Sequence, residues 1–567
     1  MDRNVQKENM PSRNEINRRR FMGYFSAIGL SATLLPGALT AVAQEAEEIT
    51  AEMIAQAEKI AGLTFTEEER DAMVRGLNRF KDSYEQIRAL EMKNDVPPAL
   101  YFNPIPPGKK IEIERRPFKM RSIDVQMPAN IEGLAFYPVT HLARLIETRR
   151  ITSTELTRMY LARLKKYNPT LLCVVTLTED LALRQAKRAD DEIAAGKYRG
   201  PLHGIPWGAK DLLAARGYKT TWGATPYQDQ IFDIDATVVQ KLDEAGAVLV
   251  AKLTMGALAQ GDRWFGGRTR NPWNTEQGSS GSSAGPGSAV SAGLVGFGIG
   301  TETRGSIVSP SSRCGVSGLR PTFGRVSRYG AMALSWSMDK IGPMCRTAED
   351  CATVFNYIYG PDGNDLAIVD MPFGFDANMN LSHLRVGYIK SILDSEPENE
   401  RGQISKRSYE EAVNVVRSLG VELRPIELPE FPTNSLSFIL STEAAAAFDQ
   451  LTLTKNDNEI NTWGGTFRQH RFVPGVEYIQ ANRARTLLMQ ETDKLFEEID
   501  LFVGSSLGLT NLTGHPEIVL PNGFRDDGTP YSISFTGKLF GESEILAIAH
   551  QYQEATGHHL KHPNLDG

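Results

Sequence analysis

GSSGSSAGPGSAVSAGLVGFGIGTETRGSIVSPSSRCGVSGLRPTFG, residues 278–324, is the stretch that decides how this chain folds and what it does. Glycine and serine crowd it. Yet Val290, Leu294, Val295, Phe297 and Ile299 recur among them as in packed structure, which separates the stretch from a flexible linker. Glycine at this density in packed structure permits close backbone approach, and a loop so built can turn N–H groups toward a developing oxyanion. A dinucleotide fingerprint fails because Thr303 stands where the third glycine would follow Gly298 and Gly300; a P-loop fails because the stretch contains no lysine. Gly281-Ser282-Ser283-Ala284-Gly285 does match G-x-S-x-G, a nucleophile elbow centred on Ser283, for which His550 is a candidate partner. An elbow follows a strand directly, whereas Asn271 to Ser280 reads as polar turn.

Outward from this stretch the pattern alternates between helix and strand. Thr152 to Glu155 reads as a capping box opening a helix, with Leu156, Met159, Tyr160, Leu164 and Tyr167 on one face and Asn168-Pro169 as its stop. Strands are expected at Cys173–Leu177, after Gly204, and at Val248–Ala251, with helices over Asp180–Ala195 and Val238–Ala245. Downstream, Val476–Ile499 and Ser543–Thr556 read as helix, and Leu501–Val503 and Ile518–Leu520 as strand. This rhythm predicts an α/β fold, a sheet covered by helices on both faces, in one large domain over 135–567.

Ahead of it, Thr66 and Glu69 form a second candidate capping box for a helix reaching Leu90, and a Pro-rich, charged stretch follows from Pro97 to Pro128. Residues 44–134 are therefore expected to form a small helical extension and a linker. Residues 1–43 read as a signal peptide. Arg18-Arg19-Arg20-Phe21-Met22 resembles a twin-arginine signal, an uncharged run follows, and Ala41-Val42-Ala43 suits cleavage. The expected location is the periplasm or the exterior. The formal charge is −7. The first 43 residues are net basic, so the remainder is more acidic still, which argues against a nucleic-acid partner. The four cysteines, Cys173, Cys314, Cys345 and Cys351, show no C-x-x-C spacing and are expected to be buried free thiols.

Several segments, in order along the chain, resemble the amidase signature family. Gly204-Ile205-Pro206-Trp207-Gly208-Ala209-Lys210-Asp211 is similar to the segment bearing that family's catalytic lysine. Asn271-Pro272-Trp273-Asn274 with Gly281-Ser282-Ser283 resembles the loop with its bridging serine, and Gly300 to Ile307 the segment with its nucleophile. Cys314 to Thr322, Met338 to Thr347 and Asn511 to Pro516 continue the likeness. The resemblance implies a mixed sheet in a single amidase-signature domain. It also implies Ser306 as nucleophile, Ser282 as bridging serine and Lys210 as base. Backbone N–H groups of Thr303, Arg304 and Gly305 would form the oxyanion hole, with Glu302 and Ser283 in support.

The implied reaction is hydrolysis of a carboxylic amide through an acyl-serine, on a small-molecule amide, with no metal or organic cofactor and no lasting membrane span. A homo-oligomer stays open. The chemistry is self-consistent: a serine hydroxyl needs a base, and lysine serves as one near neutrality when burial lowers its pKa from about 10.4. The family usually has Asp, Gly and Arg where Glu302, Arg304 and Val308 stand. Glu302 is expected to pair with Arg304 or Arg313 instead, and the Arg304 side chain to bias the acyl pocket toward polar or acidic groups. Two other functions compete: a protein like the A-subunit of an amidotransferase, and a degenerate amidase acting as a binding protein.

Overall fold

The computed structural model describes residues 48–88, 93–96, 100–121, 123–457 and 459–565; the expected export signal lies outside them. The chain divides into two compact units between residues 91 and 92. In the first, Thr50 caps helix α1 (Ala51–Ala61) by accepting the Met53 N–H, and α2 (Glu67–Arg88) opens on the expected capping box. There the Glu69 N–H meets Thr66 Oγ1 at 3.2 Å and the Thr66 N–H meets Glu69 Oε2 at 2.7 Å. The described residues of the Pro-rich stretch, expected to form a linker, belong to the second unit. Phe118–Lys119 pairs in parallel with Phe375–Asp376, and Lys109 Nζ lies 2.9 Å from an Asp493 oxygen. An extended segment with no core of its own satisfies its backbone by borrowing a neighbour's edge.

The second unit is built on eleven strands: β1 (Val174–Leu177), β2 (Pro206–Lys210), β3 (Val248–Leu253), β4 (Phe297–Glu302), β5 (Ser317–Arg320), β6 (Lys340–Cys345), β7 (Arg385–Ile389), β8 (Glu422–Ile426), β9 (Leu501–Val503), β10 (Glu517–Phe524) and β11 (Pro530–Gly537). Their order across the sheet is β8-β7-β9-β11-β10-β5-β6-β4-β2-β3-β1. The β4-β2-β3 triplet and the β8-β7-β9 triplet are parallel; the other pairings are antiparallel. This is the mixed sheet expected, with helices packed on it.

Strands β2, β3 and β4 are buried along their whole length, their polar residues included. Trp207 of β2 faces Phe297 of β4 in register, their rings stacked 5.9 Å apart. Helix α3 (Ser153–Leu171) opens on the Thr152–Glu155 capping box but runs through Pro169, the expected stop. Pro169 sits in the last turn, and the Leu172 N–H closes the helix on the Asn168 carbonyl from a left-handed conformation. All four cysteines are buried free thiols. No helix among the described residues is long and apolar enough to cross a membrane.

Candidate active site

Parallel strands bring their C-terminal ends to one edge, the place where α/β sheets present their ligands' partners. Lys210 is the last residue of β2, and Thr301 and Glu302 end the neighbouring β4. The Lys210 side chain is completely buried. Its Nζ donates to Ser282 Oγ at 2.8 Å, Thr301 Oγ1 at 2.8 Å, Ser283 Oγ at 3.1 Å and the Thr301 carbonyl at 3.3 Å. All these partners are neutral. Burial pulls the lysine down to about 7, against the opposing fields of Asp339 and Glu302.

Asp211, next in the chain, leaves on the opposite face. Its carboxylate lies 2.8 Å from Lys252 Nζ of β3 and accepts the Thr221 N–H at 2.9 Å, all three groups being buried. Two lysines are therefore buried on adjacent strands. One is ion-paired, and the other is surrounded by hydroxyls.

Ser282 and Ser283 lie on the loop before helix α4 (Ala284–Ser291), and the Gly281–Ser282 peptide bond is cis. Ser283 is held by the strand beside it: its Oγ accepts the Thr301 N–H and donates to the Thr301 carbonyl, both at 3.1 Å. Gly300 makes room for this contact, since a Cβ there would stand 2.8 Å from Ser283 Oγ. The elbow geometry centred on Ser283 is absent: the segment before it is a short hairpin strand, Asn274–Gly278, followed by a turn. His550 packs edge-on against Phe375 and is driven down to about 4 by burial.

Ser306 sits in the turn between β4 and α5 (Val308–Cys314). Its backbone carbonyl accepts the Ser283 N–H at 3.2 Å, which ties the two serine loops together. Gly305 holds φ at +84°, a conformation that a side chain would strain. Glu302 fixes the turn from below: its Oε2 accepts the N–H groups of Ile307 (2.8 Å) and Val308 (3.0 Å). Its Oε1 accepts Arg320 Nη1 and Asn511 Nδ2, each at 2.9 Å. Burial opposes the charge, but Arg320, Lys340 and the Val308 N–H outweigh it and hold Glu302 down to about 2.

The expected partners of Glu302, Arg304 and Arg313, are both elsewhere. The Arg304 guanidinium is exposed and reaches Asn434 Oδ1 at 3.5 Å, and Arg313 donates to Gln277 Oε1 at 2.9 Å. A fully buried carboxylate requires a fully buried cation, and Arg320 at the end of β5 supplies it. The same guanidinium faces Glu517 at 3.2 Å; burial raises the Glu517 carboxyl, with Glu302 adding to the rise. Thr301, Arg320 and Asn511 are thus site residues to which sequence reasoning assigned no role, although all three lie in the quoted motifs. Asp339 was missed likewise: its Oδ1 accepts Thr303 Oγ1 at 2.6 Å, and its Oδ2 accepts the N–H groups of Leu334 and Ser335.

A cavity of about 250 Å³ reaches the site at Thr301 and Thr303 and is lined mainly by apolar groups, among them Leu212, Met332, Trp336 and Ile341. Arg304 is not in its wall. Trp336 lines the cavity, Trp264 and Phe265 pack on each other, and Tyr478 donates to Glu443. A second cleft, of about 750 Å³, begins at Val308 and Ser309 and is rich in serine hydroxyls. Among the described residues no three His, Cys, Asp or Glu side chains converge as a metal site.

The amidase family profile matches residues 155–508. The A-subunit of the glutamyl-tRNA(Gln) amidotransferase of Methylococcus capsulatus is 32% identical over 481 residues, covering 75% of this chain and 98% of the relative. Among solved structures, the peptide amidase of Stenotrophomonas maltophilia superposes with a TM-score of 0.68 at 29% identity, over 77% of this chain and 100% of that one. An amidase family protein from Bacillus anthracis superposes at 0.67 with 27% identity, over 77% and 94%.

Proposed function

This chain belongs to the amidase family, and we propose that it is an amidase that hydrolyses a carboxylic amide through an acyl-Ser306 intermediate, with Ser282 as bridging serine and Lys210 as base. The observation that carries the reading is the buried Lys210 ammonium site, 2.8 Å from Ser282 Oγ, unpaired with any carboxylate and held near 7. Neutral Lys210 takes the Ser282 proton while Ser282 takes that of Ser306, and Ser306 Oγ bonds to the carbonyl carbon. N–H groups of Thr303, Arg304 and Gly305 receive the oxyanion. The C–N bond then breaks as the Lys210 ammonium returns its proton through Ser282 to the leaving nitrogen. Water attacks the acyl-enzyme by the same relay and frees the acid and Ser306. Glu302 and Ser283 hold the two loops in register and act as positioning residues.

A serine-reactive fluorophosphonate is expected to label Ser306, as read by peptide mapping, and to lose at least about 100-fold in labelling rate in Lys210→Ala. Label on Ser283 sinks the assignment, and an unlabelled chain favours the degenerate, ligand-binding reading. A second enzyme reading, as part of an amidotransferase, is favoured by the names of the relatives; amide hydrolysis by the isolated chain decides for the first.

We further infer export from Arg18-Arg19-Arg20 and the uncharged run behind them. Fractionation of producing cells is expected to find the protein outside the cytoplasm, and Arg18→Lys with Arg19→Lys to retain it inside. Cytoplasmic wild-type protein would overturn this.

A further inference from the structure

We propose that the apolar cavity beside Thr301 and Thr303 is the acyl pocket, and that Asn94, Leu100 and Tyr101, which precede the family match, form an outer wall selecting amides of arylalkyl and medium-length alkyl acids. The inference rests on the amidase reading above and names its substrate class. Asn94 is latched to the cavity rim: its Nδ2 donates to the Ala333 carbonyl at 2.8 Å, and its Oδ1 accepts the Ala333 N–H at 2.7 Å. This two-way bond satisfies both backbone groups of one wall residue as a neighbouring strand would. Ala333 itself lines the cavity.

Beyond the latch, Leu100 is 78% exposed and Tyr101 52%, and they share the lining with Leu366, 66% exposed. Large apolar side chains left open around one cavity mark a place where an apolar group is to be covered. Of the charged residues in the lining, Asp95 is exposed at the rim and the other four have partners within the protein. Arg328 grips Asp365 through two hydrogen bonds of 2.7 and 2.9 Å, Asp339 is taken by Thr303 and two N–H groups, and Lys340 donates to the Met338 carbonyl. What faces the cavity is mostly carbon.

Its volume, about 250 Å³, exceeds the roughly 150 Å³ in which a buried apolar cavity holds one benzene, so it accommodates a ring with a short methylene chain. The side of the scissile bond follows from position. The cavity meets the nucleophile turn at its strand end, Thr301 and Thr303, whereas the serine-lined cleft meets it at Val308 and Ser309. The two substituents of the carbonyl thus have separate places. The apolar place is the acyl one, and the hydroxyl-lined cleft suits the polar amine that departs.

The test compares propanamide with 4-phenylbutanamide as substrates of the full chain, in the wild type, Asn94→Ala and Leu100→Ala/Tyr101→Ala. Wild-type kcat/KM is expected to favour 4-phenylbutanamide by at least tenfold. Each variant is expected to raise KM for that amide about tenfold while kcat stays within about threefold. An unchanged KM, or an equal rise for both amides, overturns the proposal. The same two amides are titrated calorimetrically into Ser306→Ala carrying the same wall substitutions. Preferential binding that the wall substitutions abolish, beside a wild type that turns over neither amide, sustains the pocket and sinks the hydrolase reading. Turnover with no binding preference does the reverse.

Discussion

Lys210→Ala is expected to lower kcat by roughly 10³–10⁴-fold, the range that a positioned base in a nucleophilic relay supplies. Lys210→Arg should be as inactive, because a guanidinium stays protonated and cannot accept the Ser282 proton. In the wild type, kcat/KM should climb about tenfold per pH unit below 7 and level off above it, since only the neutral amine works and burial sets its pKa at about 7.

Stability separates this role from a structural one. The folded-state pKa lies below that of the unfolded chain, 10.5. Between 7 and 10.5 the unfolded chain therefore binds the extra proton, and this group's contribution to stability rises with pH across that window. At pH 7 and below, the buried amine costs the fold about 5 kcal/mol. The hydrogen bonds that Lys210 makes offset much of this at about 1 kcal/mol each. Lys210→Met should therefore melt within a few degrees of the wild type, or above it.

Lys252→Met, one position from the end of β3, should behave oppositely. It leaves the Asp211 carboxylate buried without its cation and should cost about 3–5 kcal/mol in urea unfolding. A Lys210→Met chain that melts far below the wild type, or that keeps a tenth of kcat, would remove Lys210 from the role of base.

Glu302 carries the second large effect. Glu302→Ala takes the acceptor away from the Ile307 and Val308 N–H groups, from Arg320 and from Asn511 at once. The loss should be about 3–5 kcal/mol, the cost of breaking a buried pair from one side. Glu302→Gln keeps the shape but turns an NH₂ group onto existing donors, so it should lose most of the same stability. The nucleophile turn would also lose its floor, and kcat should fall about 10–100-fold by misplacement of Ser306.

The pH dependence identifies the cause. Glu302 has its folded pKa depressed from 4.5 to about 2. Its contribution is full above pH 4.5 and is lost as pH falls toward 2, an effect of about 3 kcal/mol. The stability gap between wild type and Glu302→Gln, read from urea titrations at each pH, should be flat above 4.5 and close below it. A gap unchanged from pH 6 to pH 3 would mean that ionisation of Glu302 is not what holds the turn.

Much of the fold is written locally. The Thr152–Glu155 box starts α3, the apolar runs at Val248 and Leu501 become buried strands, and the mixture of parallel and antiparallel neighbours follows from how the alternating elements return to the sheet. Lys210, Ser282 and Ser306 are proposed from segments that carry distinctive neighbours in a fixed order, and the structure places Lys210 Nζ 2.8 Å from Ser282 Oγ. Pro169 was misread because a proline in a last turn forfeits little, and sequence does not show how many turns remain.

The supporting shell is another matter. That Arg320 rather than Arg304 or Arg313 neutralises Glu302 depends on β5 and β4 flanking β6, a pairing made between residues far apart in the chain. That Lys252 is paired while Lys210 is not depends on which face of β2 and β3 each residue occupies.

The opening stretch of glycine and serine, with Lys210 ahead of it, thus determined by itself the kind of chemistry on offer, since residue types and their order are properties of the chain. Tertiary structure alone decided which buried charges are cancelled, because cancellation requires partners within about 3 Å, and only the assembled sheet brings such partners together.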